Sequence, residues 1–435
     1  HRDLHAFPTR RSSDLAIFLF LMALLLTVSL TTMAQITTSS MAGLVTDGNT
    51  KEAIIGASVQ AVHEPSGTRY TTITNVSGRF SFQGMRTGGP YAVTVTYIGF
   101  QPTTIKGVTL QLGETYHLDV VISENSTELK EVVVSGRATK FTAEKTGAST
   151  NINSAQITAI PTVTRSITDV TRLSPYGGNG MSFAGADGRT ANFTVDGANF
   201  NNNFGLSEKL PGGGNPISLD AIEEVQVVIS PFDVRQTNFI GGGVNAITKS
   251  GTNTFKGTAY IYHRNENMRG DAIEREQITG ARERDANTTY GFTLGGPIIK
   301  NKLFFFANGE ISQIPTVANR WRGSEDGVAN ATDYVSRTKL SDLQNVSNYM
   351  ASKYGYGTGS YTSFPADETN RKFLLRLDWN ITDKHHLALR YNYTKNKLWY
   401  SPNRTSMDGG SRMSGDRMGQ YSMSIARSEE RRVGK

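Results

Sequence analysis

The 435-residue sequence contains no cysteine, which excludes disulfide frameworks, thiolate zinc sites and cysteine nucleophiles. It has one long apolar run, at 16–28, and no second one, so a protein with several transmembrane helices is excluded. Hydrophobic residues make up only 37% of the chain. That content is typical of a soluble protein, but it leaves a β-barrel open, because a transmembrane strand needs apolar residues only at alternate positions.

Sequence motifs of the common catalytic sites are also missing. HExxH, GxSxG and P-loop patterns do not occur. An S-x-x-K match at 336–339 and a K-T-G match at 145–147 stand in the reverse of the β-lactamase order, which favours chance. The pair His385 and His386 is interpreted as a solvated hairpin turn rather than a metal site. We expect no enzyme, no catalytic residue, no metal and no cofactor.

The net charge of +7 gives little support to nucleic-acid binding. The tails at 1–15 and 427–435 contribute three of these positive charges, which leaves +4 with the two signs interspersed. Both tails resemble translated adapter sequence, and we expect them to be artefacts outside the fold. No nucleic-acid partner is expected.

The apolar run at 16–28 ends in small residues, with Thr32 and Ala34 at the −3 and −1 positions of a cleavage site. Residues 1–34 are therefore interpreted as an artefactual leader plus a signal peptide. A single membrane anchor is the alternative, but the run is short for a bilayer span.

Residues 36–125 contain seven short alternating segments separated by turn residues, which predicts a β-sandwich. These segments lie at 41–45, 58–63, 68–74, 79–83, 91–97, 101–105 and 116–122. Residues 126–137 form a linker with three consecutive valines, Val132, Val133 and Val134. Their high β-propensity predicts an extended segment, which is either a binding segment, the last sandwich strand or the first strand of the next domain.

Residues 138–251 mix brief helices with strands, which predicts a small α/β domain. A helix is expected at 166–173, a strand at 192–195, and a helical turn at 219–223 that leads into a strand at 224–230. The stretch 198–216 is dominated by Asn and Gly and predicts a long loop. A glycine-rich hinge is expected at 241–245.

From residue 254 to 426 the pattern becomes that of barrel strands. Phe373, Leu375, Leu377 and Trp379 alternate with polar residues, and a tight turn at 382–384 leads into a second alternating strand at 387–393. A hairpin with one apolar and one polar face fits lipid outside and an aqueous lumen inside. Further strands are expected at 258–264, 290–296, 303–311 and near 418–426, with long loops at 265–287 and 312–371. A plugged barrel needs about 22 strands, so we expect an N-terminal fragment.

Two sets of residues carry a family resemblance. Gly241-Gly242-Gly243-Val244-Asn245, followed by Thr248-Lys249-Ser250-Gly251-Thr252-Asn253, resembles the plug-to-barrel junction of TonB-dependent outer-membrane receptors of the Oar-like group, related to the SusC/RagA type. The spaced residues of 43–47, 55–59, 78–80 and 97–100 resemble the carboxypeptidase regulatory-like domain, an accessory module without peptidase chemistry.

The resemblance implies a role for two segments. In the family, the linker position carries the TonB box, which an energy-coupling protein captures as an added strand; here it corresponds to Glu131, Val132, Val133, Val134 and Ser135. The plug segment Asn-x-Thr-x-Asp-Gly stands at 192–197. The loop after this segment is the expected ligand-binding site, with the candidates Phe200, Asn201, Asn202, Asn203 and Phe204.

The sequence thus predicts a mainly β protein: an N-terminal β-sandwich, a small α/β plug domain and the first strands of an incomplete antiparallel transmembrane β-barrel. The implied function is import of an unidentified ligand across the outer membrane, energised by a TonB-type partner. The protein is expected in the outer membrane in contact with its lipid, and a surface lipoprotein is a further candidate partner. An adhesion or signalling receptor on the same scaffold is the alternative, and a secreted binding module with soluble strands is a third.

Overall fold

The computed structural model describes residues 36–124, 133–135, 148–315, 322–359, 367–400, 413–417 and 421–429, apart from short gaps at 163, 202–209, 211–213, 232, 234–235, 269, 274, 278–284 and 384. The predicted signal peptide and most of the predicted linker lie outside these residues. The described chain forms three β-rich units that contact one another.

The first unit, the sandwich, contains eight strands: β1 (Ser39–Asp47), β2 (Ser58–His63), β3 (Thr68–Ile73), β4 (Arg79–Met85), β5 (Gly88–Thr96), β6 (Thr103–Leu110), β7 (Thr115–His117) and β8 (Val120–Ile122). One sheet has the order β4-β1-β7, with β8 also on β1, and the other has the order β3-β2-β5-β6. The seven predicted segments are all present as strands, and the last of them is divided into β7 and β8.

A single apolar core lies between the two sheets of the sandwich. Alternate residues are buried in several of these strands, as in β2, where Val59 and Ala61 face inward. Phe82 and Tyr91 are the largest fully buried side chains of this core. The predicted β-sandwich is confirmed.

A short strand from the linker extends one sandwich sheet. β9 (Val133–Ser135) pairs in parallel with β6, so that Thr104 lies opposite Val133 and Lys106 lies opposite Ser135. The extended conformation predicted for the valines is present at Val133 and Val134, and it forms the last strand of the sandwich sheet. Glu131 and Val132 lie outside the described residues.

The second unit, the five-stranded unit, contains β10 (Ala148–Asn153), β11 (Asn192–Val195), β12 (Ala198–Asn199), β13 (Ile222–Ser230) and β14 (Gly243–Thr248) in the order β10-β13-β14-β11-β12. Two short helices, α1 (Ser154–Ala159) and α2 (Ile167–Thr171), begin at capping boxes formed by Asn153 with Gln156 and by Ser166 with Asp169. These caps satisfy the free amides of the first helical turns. The predicted α/β character of this unit is confirmed.

Only Gly241 and Gly242 of the glycine-rich hinge predicted at 241–245 lie outside a regular strand. Gly243 begins β14, whose six residues are all buried and which pairs with β13 on one side and β11 on the other. The chain therefore leaves this unit only after Thr248, at the end of a central strand. Helix α1 and strand β10 were not predicted.

From residue 256 onward the strands are β15 (Lys256–Arg264), β16 (Ala272–Ile273), β17 (Glu276–Gln277), β18 (Asn287–Ile299), β19 (Leu303–Ile314), β20 (Arg322–Ser324), β21 (Val335–Lys339), β22 (Glu368–Thr382), β23 (His385–Tyr400), β24 (Met413–Arg417) and β25 (Tyr421–Glu429). Seven of them form one antiparallel sheet in the order β15-β18-β19-β22-β23-β24, with β25 also on β23. The sheet is open among the described residues. Every predicted barrel strand is present, and most are longer than predicted.

Short turns join β18 to β19 and β22 to β23, whereas the other ends of these strands lead into long connections. The connection after β19 contains the pair β20-β21 and the helix α3 (Leu340–Tyr354), which was not predicted. Among the described residues, no helix is both long and apolar enough to cross a membrane; this finding does not bear on strands.

Candidate functional site

In the strands β19, β22 and β23 of the seven-stranded sheet, the mainly polar face is buried and the more apolar face is exposed. On β22, Lys372 and Arg376 are 6% and 5% exposed, whereas Phe373 and Trp379 of the opposite face are 38% and 46% exposed. Successive residues of a strand point to opposite faces, so the two sets belong to two sides of one sheet. A soluble sheet has the reverse arrangement, and this one fits strands with lipid on the outside.

The five-stranded unit covers the polar face of this sheet. Phe306 of β19 and Leu374 of β22 join the same buried apolar cluster as Val225 and Val227 of β13. Nearby, the hydroxyl of Thr394 donates to the carbonyl oxygen of Pro216 over 2.6 Å. The candidate functional site is therefore the contact between these two units.

The first polar cluster of this contact surrounds the carboxylate of Glu310 on β19. Lys372 Nζ lies 2.7 Å from Glu310 Oε1, and both side chains are almost fully buried. Ser218 Oγ of the five-stranded unit and the Tyr260 hydroxyl of β15 donate to Glu310 Oε2 over 2.7 and 2.9 Å. One buried carboxylate thus connects the seven-stranded sheet to the five-stranded unit.

The second polar cluster surrounds Asp196, at the turn between β11 and β12. Its carboxylate accepts hydrogen bonds from Thr248 N at 3.1 Å and from Thr248 Oγ1 at 2.6 Å. Two guanidinium groups of the seven-stranded sheet face it, with Arg390 Nε at 3.5 Å and Arg376 Nη1 at 3.8 Å from Oδ1. Asp196 has a φ of +49°, in the left-handed region that Asp tolerates better than most residues.

Arg376 connects this cluster to its own strand. Its guanidinium makes a forked contact with the carboxylate of Asp378, two residues along the same face of β22, at 2.9 and 3.1 Å. Its Nη1 also donates to the carbonyl oxygen of Thr248 over 2.6 Å. The guanidinium is thereby held between β22 and the end of β14.

A third contact lies at the edge of the sheet. Arg165, just before α2, forms an ion pair with Asp220, and its guanidinium lies 3.7 Å from the ring centre of Tyr262 on β15. A guanidinium at this distance from an aromatic face is attracted by the ring quadrupole. All three contacts are polar or cation–π interactions, and they lie beside the apolar cluster that includes Phe306 and Leu374.

Sequence reasoning identified few of these residues. Asp196 lies in the quoted segment at 192–197, and Arg376, Asp378 and Arg390 were placed on a lumen-facing side, but no partners were assigned. Glu310 and Lys372 were missed. Both could have been found from the sequence, because each places a charged side chain at an inward-facing position of a strand.

The structure places only part of the predicted ligand-binding set. Phe200 is fully buried and packs edge-to-face with Phe193 at a ring-centre distance of 6.3 Å. Asn201 accepts a hydrogen bond from Phe193 N at 2.6 Å and donates to Asn192 Oδ1 at 2.8 Å. Asn202, Asn203 and Phe204 lie outside the described residues. The ligand-binding role of all five stays a prediction.

Within the described part of the chain, no group of three or more His, Asp or Glu side chains is placed to hold a metal ion. His386 differs from the solvated turn residue expected from the sequence. It is partly buried, and its ring lies 5.4 Å from that of Tyr70 in the sandwich.

Comparisons with known families match two regions of the chain. Residues 40–123 match the carboxypeptidase regulatory-like domain, and residues 247–323 match an outer membrane beta barrel domain. The first region corresponds to the sandwich. The second begins in β14 and extends through β18 and β19 of the seven-stranded sheet.

Among characterised proteins, the chain is 24% identical over 379 residues to the TonB-dependent transporter Oar of Myxococcus xanthus, covering 82% of this chain and 33% of Oar. The chain thus spans about a third of the length of this relative. Among solved structures, the siderophore receptor PirA of Acinetobacter baumannii has 19% identity and a TM-score of 0.37, covering 59% of this chain and 32% of PirA. The outer membrane transporter YddB of Escherichia coli has 14% identity and a TM-score of 0.41, covering 58% and 34%. At these TM-scores, the structural likeness supports no functional argument.

The outward apolar face, the inward polar face and the barrel-domain match define an outer-membrane β-barrel protein. Within that class, the match to the carboxypeptidase regulatory-like domain and the similarity to Oar make the chain similar to TonB-dependent receptors. The characterised relative Oar is a transporter rather than an enzyme.

Proposed function

We propose that the whole protein is a TonB-dependent transporter that imports a ligand across the outer membrane. In this proposal, 1–34 is a leader with a signal peptide, 36–125 is an accessory sandwich, 126–137 is a linker with the coupling segment, 138–251 is a plug, and 254–426 forms the first strands of the barrel that surrounds it. Similarity to Oar, a TonB-dependent transporter, supports transport over adhesion.

The observation that carries this proposal is the polar contact between the five-stranded unit and the seven-stranded sheet. Across this contact, the buried Glu310 carboxylate accepts from the Ser218 hydroxyl, and the buried Asp196 carboxylate faces the Arg390 guanidinium. Polar contacts hold a plug in place, yet they can be exchanged for hydrogen bonds to water when the plug moves.

The coupling partner is a TonB-type protein that captures Glu131, Val132, Val133, Val134 and Ser135. Strand addition suits this segment, because main-chain hydrogen bonds provide affinity for any extended sequence. The extended conformation of Val133–Ser135 supports that mode of capture. A pull on the linker would then be transmitted to β10, the next described strand.

The proposed ligand contacts lie in the loop after β12. Phe200 and Asn201 are engaged in the packing of the five-stranded unit, so these two residues would contact a ligand only after a local rearrangement. Asn202, Asn203 and Phe204 complete the proposed contact set. The chemistry of amide and aromatic side chains fits sugars, peptides and chelates equally.

Spent culture medium provides a test that does not require the ligand to be known. Cells that produce the complete protein, or a variant lacking residues 132–134, are grown side by side, and the compounds left in the medium are compared by mass spectrometry. We expect at least one compound that the parent strain removes and the deletion strain leaves. Val133→Pro should behave like the deletion because proline lacks the backbone donor, whereas Val133→Ile should behave like the parent.

The competing function, adhesion or signalling, predicts another result. Surface attachment would then persist in the deletion strain, and the medium of the two strains would be the same. That result, with equal amounts of protein in the outer membrane, contradicts the proposal.

A further inference from the structure

The sandwich contacts the short-turn end of the seven-stranded sheet. The carbonyl oxygen of Pro65 accepts a hydrogen bond from Asn253 N at 2.8 Å. The amide of Asn380, at the end of β22, donates to Thr68 Oγ1 over 2.9 Å. The ring of Tyr70 lies beside that of His386, at the start of β23.

The sandwich also contacts the five-stranded unit, through a residue just after β6. The amide of Leu112 donates to Glu224 Oε1 over 3.0 Å, and its carbonyl oxygen accepts hydrogen bonds from Gln226 Nε2 at 2.6 Å and Asn151 Nδ2 at 3.0 Å. The Leu112 side chain is fully buried with Ile36 and Ile247. Both backbone groups of one sandwich residue are thus bound by side chains of β10 and β13.

A third contact joins all three units. Arg86, which comes directly after β4, places Nη2 3.3 Å from Asp378 Oδ2. The same Asp378 carboxylate binds Arg376, whose guanidinium donates to the carbonyl oxygen of Thr248 in the five-stranded unit. Two tyrosines fix the backbone of Arg86, because its amide donates to the Tyr70 hydroxyl and its carbonyl oxygen accepts from the Tyr91 hydroxyl.

These residues define a docking face on the sandwich, made of Pro65, Thr68, Tyr70, Arg86 and Leu112. We infer that this face binds the rest of the same chain and fastens the five-stranded unit in its position against the seven-stranded sheet. The sandwich is then a fixed brace on the short-turn side, and the five-stranded unit can move freely only after the sandwich has undocked. This bracing role applies to the chain before any movement of the five-stranded unit and is separate from the proposed transport.

The position of Arg86 explains why undocking of the sandwich would loosen the five-stranded unit. Asp378 is buried and binds two guanidinium groups, one from the sandwich and one that reaches Thr248. When Arg86 leaves, the sandwich loses its link through Asp378 and Arg376 to the carbonyl oxygen of Thr248. The Leu112 contact acts directly, because its loss removes one hydrogen bond from the buried Glu224 carboxylate and the Leu112 acceptor from the Gln226 side-chain nitrogen.

A cross-linking experiment tests docking in the complete protein in the outer membrane. The sequence has no cysteine, so Thr68→Cys together with Asn380→Cys introduces the only two thiols of these 435 residues. We expect a short bis-maleimide to join them and shift the electrophoretic mobility. Arg69→Cys with Asn380→Cys is the matched control, because Arg69 is exposed on the opposite face of β3. Equal cross-linking of both pairs, or of neither, overturns the inference.

Hydrogen exchange tests the fastening itself. In the purified full-length protein, Arg86→Ala combined with Gln226→Leu should make the amides of β10 and β13 exchange about tenfold faster, while β5 in the sandwich core keeps its protection. Arg79→Ala, an exposed arginine of β4, should leave every rate unchanged. Unchanged exchange of β10 and β13 in the double variant overturns the fastening role, whatever an uptake assay shows. If β5 also loses protection, the exchange of β10 and β13 is measured in the single variant Arg86→Lys, which keeps the charge but not the geometry of the guanidinium. Faster exchange of β10 and β13 with a protected β5 supports the fastening role, and unchanged exchange overturns it.

Discussion

Glu224 places a carboxylate between the five-stranded unit and the sandwich. Burial raises its pKa to about 7, and the nearby carboxylates of Glu114 and Glu223 act in the same direction. Hydrogen bonds from Leu112 N and Asn151 oppose the shift but do not cancel it. The folded protein therefore holds a proton on Glu224 at pH values where the unfolded chain has released it.

The stability of the protein should depend on pH through this group. Because the folded state binds the proton more tightly, the free energy of unfolding falls as the pH rises from about 4.5 to about 7, by an amount on the order of 3 kcal/mol. Glu224→Gln removes the titration. We expect its thermal unfolding midpoint in detergent to vary less between pH 5 and pH 8 than that of the unmodified protein, and to be higher at pH 8. Parallel pH profiles for the two proteins would refute this assignment.

Glu310 and Lys372 form a buried pair whose two members depend on each other. Glu310→Leu leaves the Lys372 ammonium buried without a carboxylate, and such a change costs about 3–5 kcal/mol. Replacing both residues with Leu should recover most of that loss, because the hydroxyl groups of Ser218 and Tyr260 can still bond to each other. Thermal unfolding midpoints of the single and double variants measure the difference. A double variant no more stable than Glu310→Leu would show that the pair is not the source of the loss.

Local sequence patterns predicted many of the elements. The observed bounds of β2 (Ser58–His63) and β11 (Asn192–Val195) coincide with the predicted ones. Both segments combine β-propensity with clear turn residues on either side. Helix α3 was missed although it has an acidic residue in its first turn, a lysine in its last turn and Gly355 at its C-cap with a φ of 60°. None of its residues is buried, so it lacks the apolar periodicity on which the prediction relied.

The start of β14 was misinterpreted because Gly243 and the preceding Gly242 were assigned a hinge role. The structure gives them another one. A Cβ atom on Gly242 would lie 2.7 Å from the side chain of Phe183, and one on Gly243 would lie 2.9 Å from that of Phe239. These glycines make room for aromatic side chains beside a central strand, which is a packing requirement that no local pattern reveals.

Gly242→Ala should therefore destabilise the five-stranded unit. The added methyl group overlaps Phe183, a fully buried residue, and overpacking of this kind costs about 1–3 kcal/mol. Gly357→Ala is the control, because no heavy atom lies within 4 Å of its added Cβ. Hydrogen exchange of β13 and β14 should accelerate in the first variant only. Similar exchange in both variants would mean that Phe183 moves aside without loss.

For the molecule as a whole, the sequence predicted which units exist but not how they meet. Alternation along β22 and β23 correctly assigned an apolar and a polar side. The contact between Leu112 and Glu224 joins residues 112 positions apart, and that between Thr68 and Asn380 joins residues 312 apart. Such pairs depend on the folded arrangement of three units, and neither propensity nor periodicity contains that information.

The outward face of the seven-stranded sheet should tolerate charge only near its ends. Phe373→Arg places a guanidinium on the exposed apolar face near the middle of β22, where lipid contact would cost about 2–4 kcal/mol. Thr369→Arg lies on the same face at the start of the strand, where the cost falls to about 0–1 kcal/mol. The amount of each complete variant in the outer-membrane fraction provides the measurement. Equal recovery of both variants would argue against lipid contact at Phe373.

Strand β9, which pairs in parallel with β6, lies at an edge where a further strand could be added. Among the described strands, β9 is the last in its sheet, so one row of its main-chain groups has no neighbour in that sheet. Ordering a free peptide costs about 1–2 kcal/mol of backbone entropy per residue. Residues 133–135 have already lost that freedom within their own protein. A partner strand could therefore pair with residues that are already extended, and it could extend the sheet without the entropy cost of ordering them.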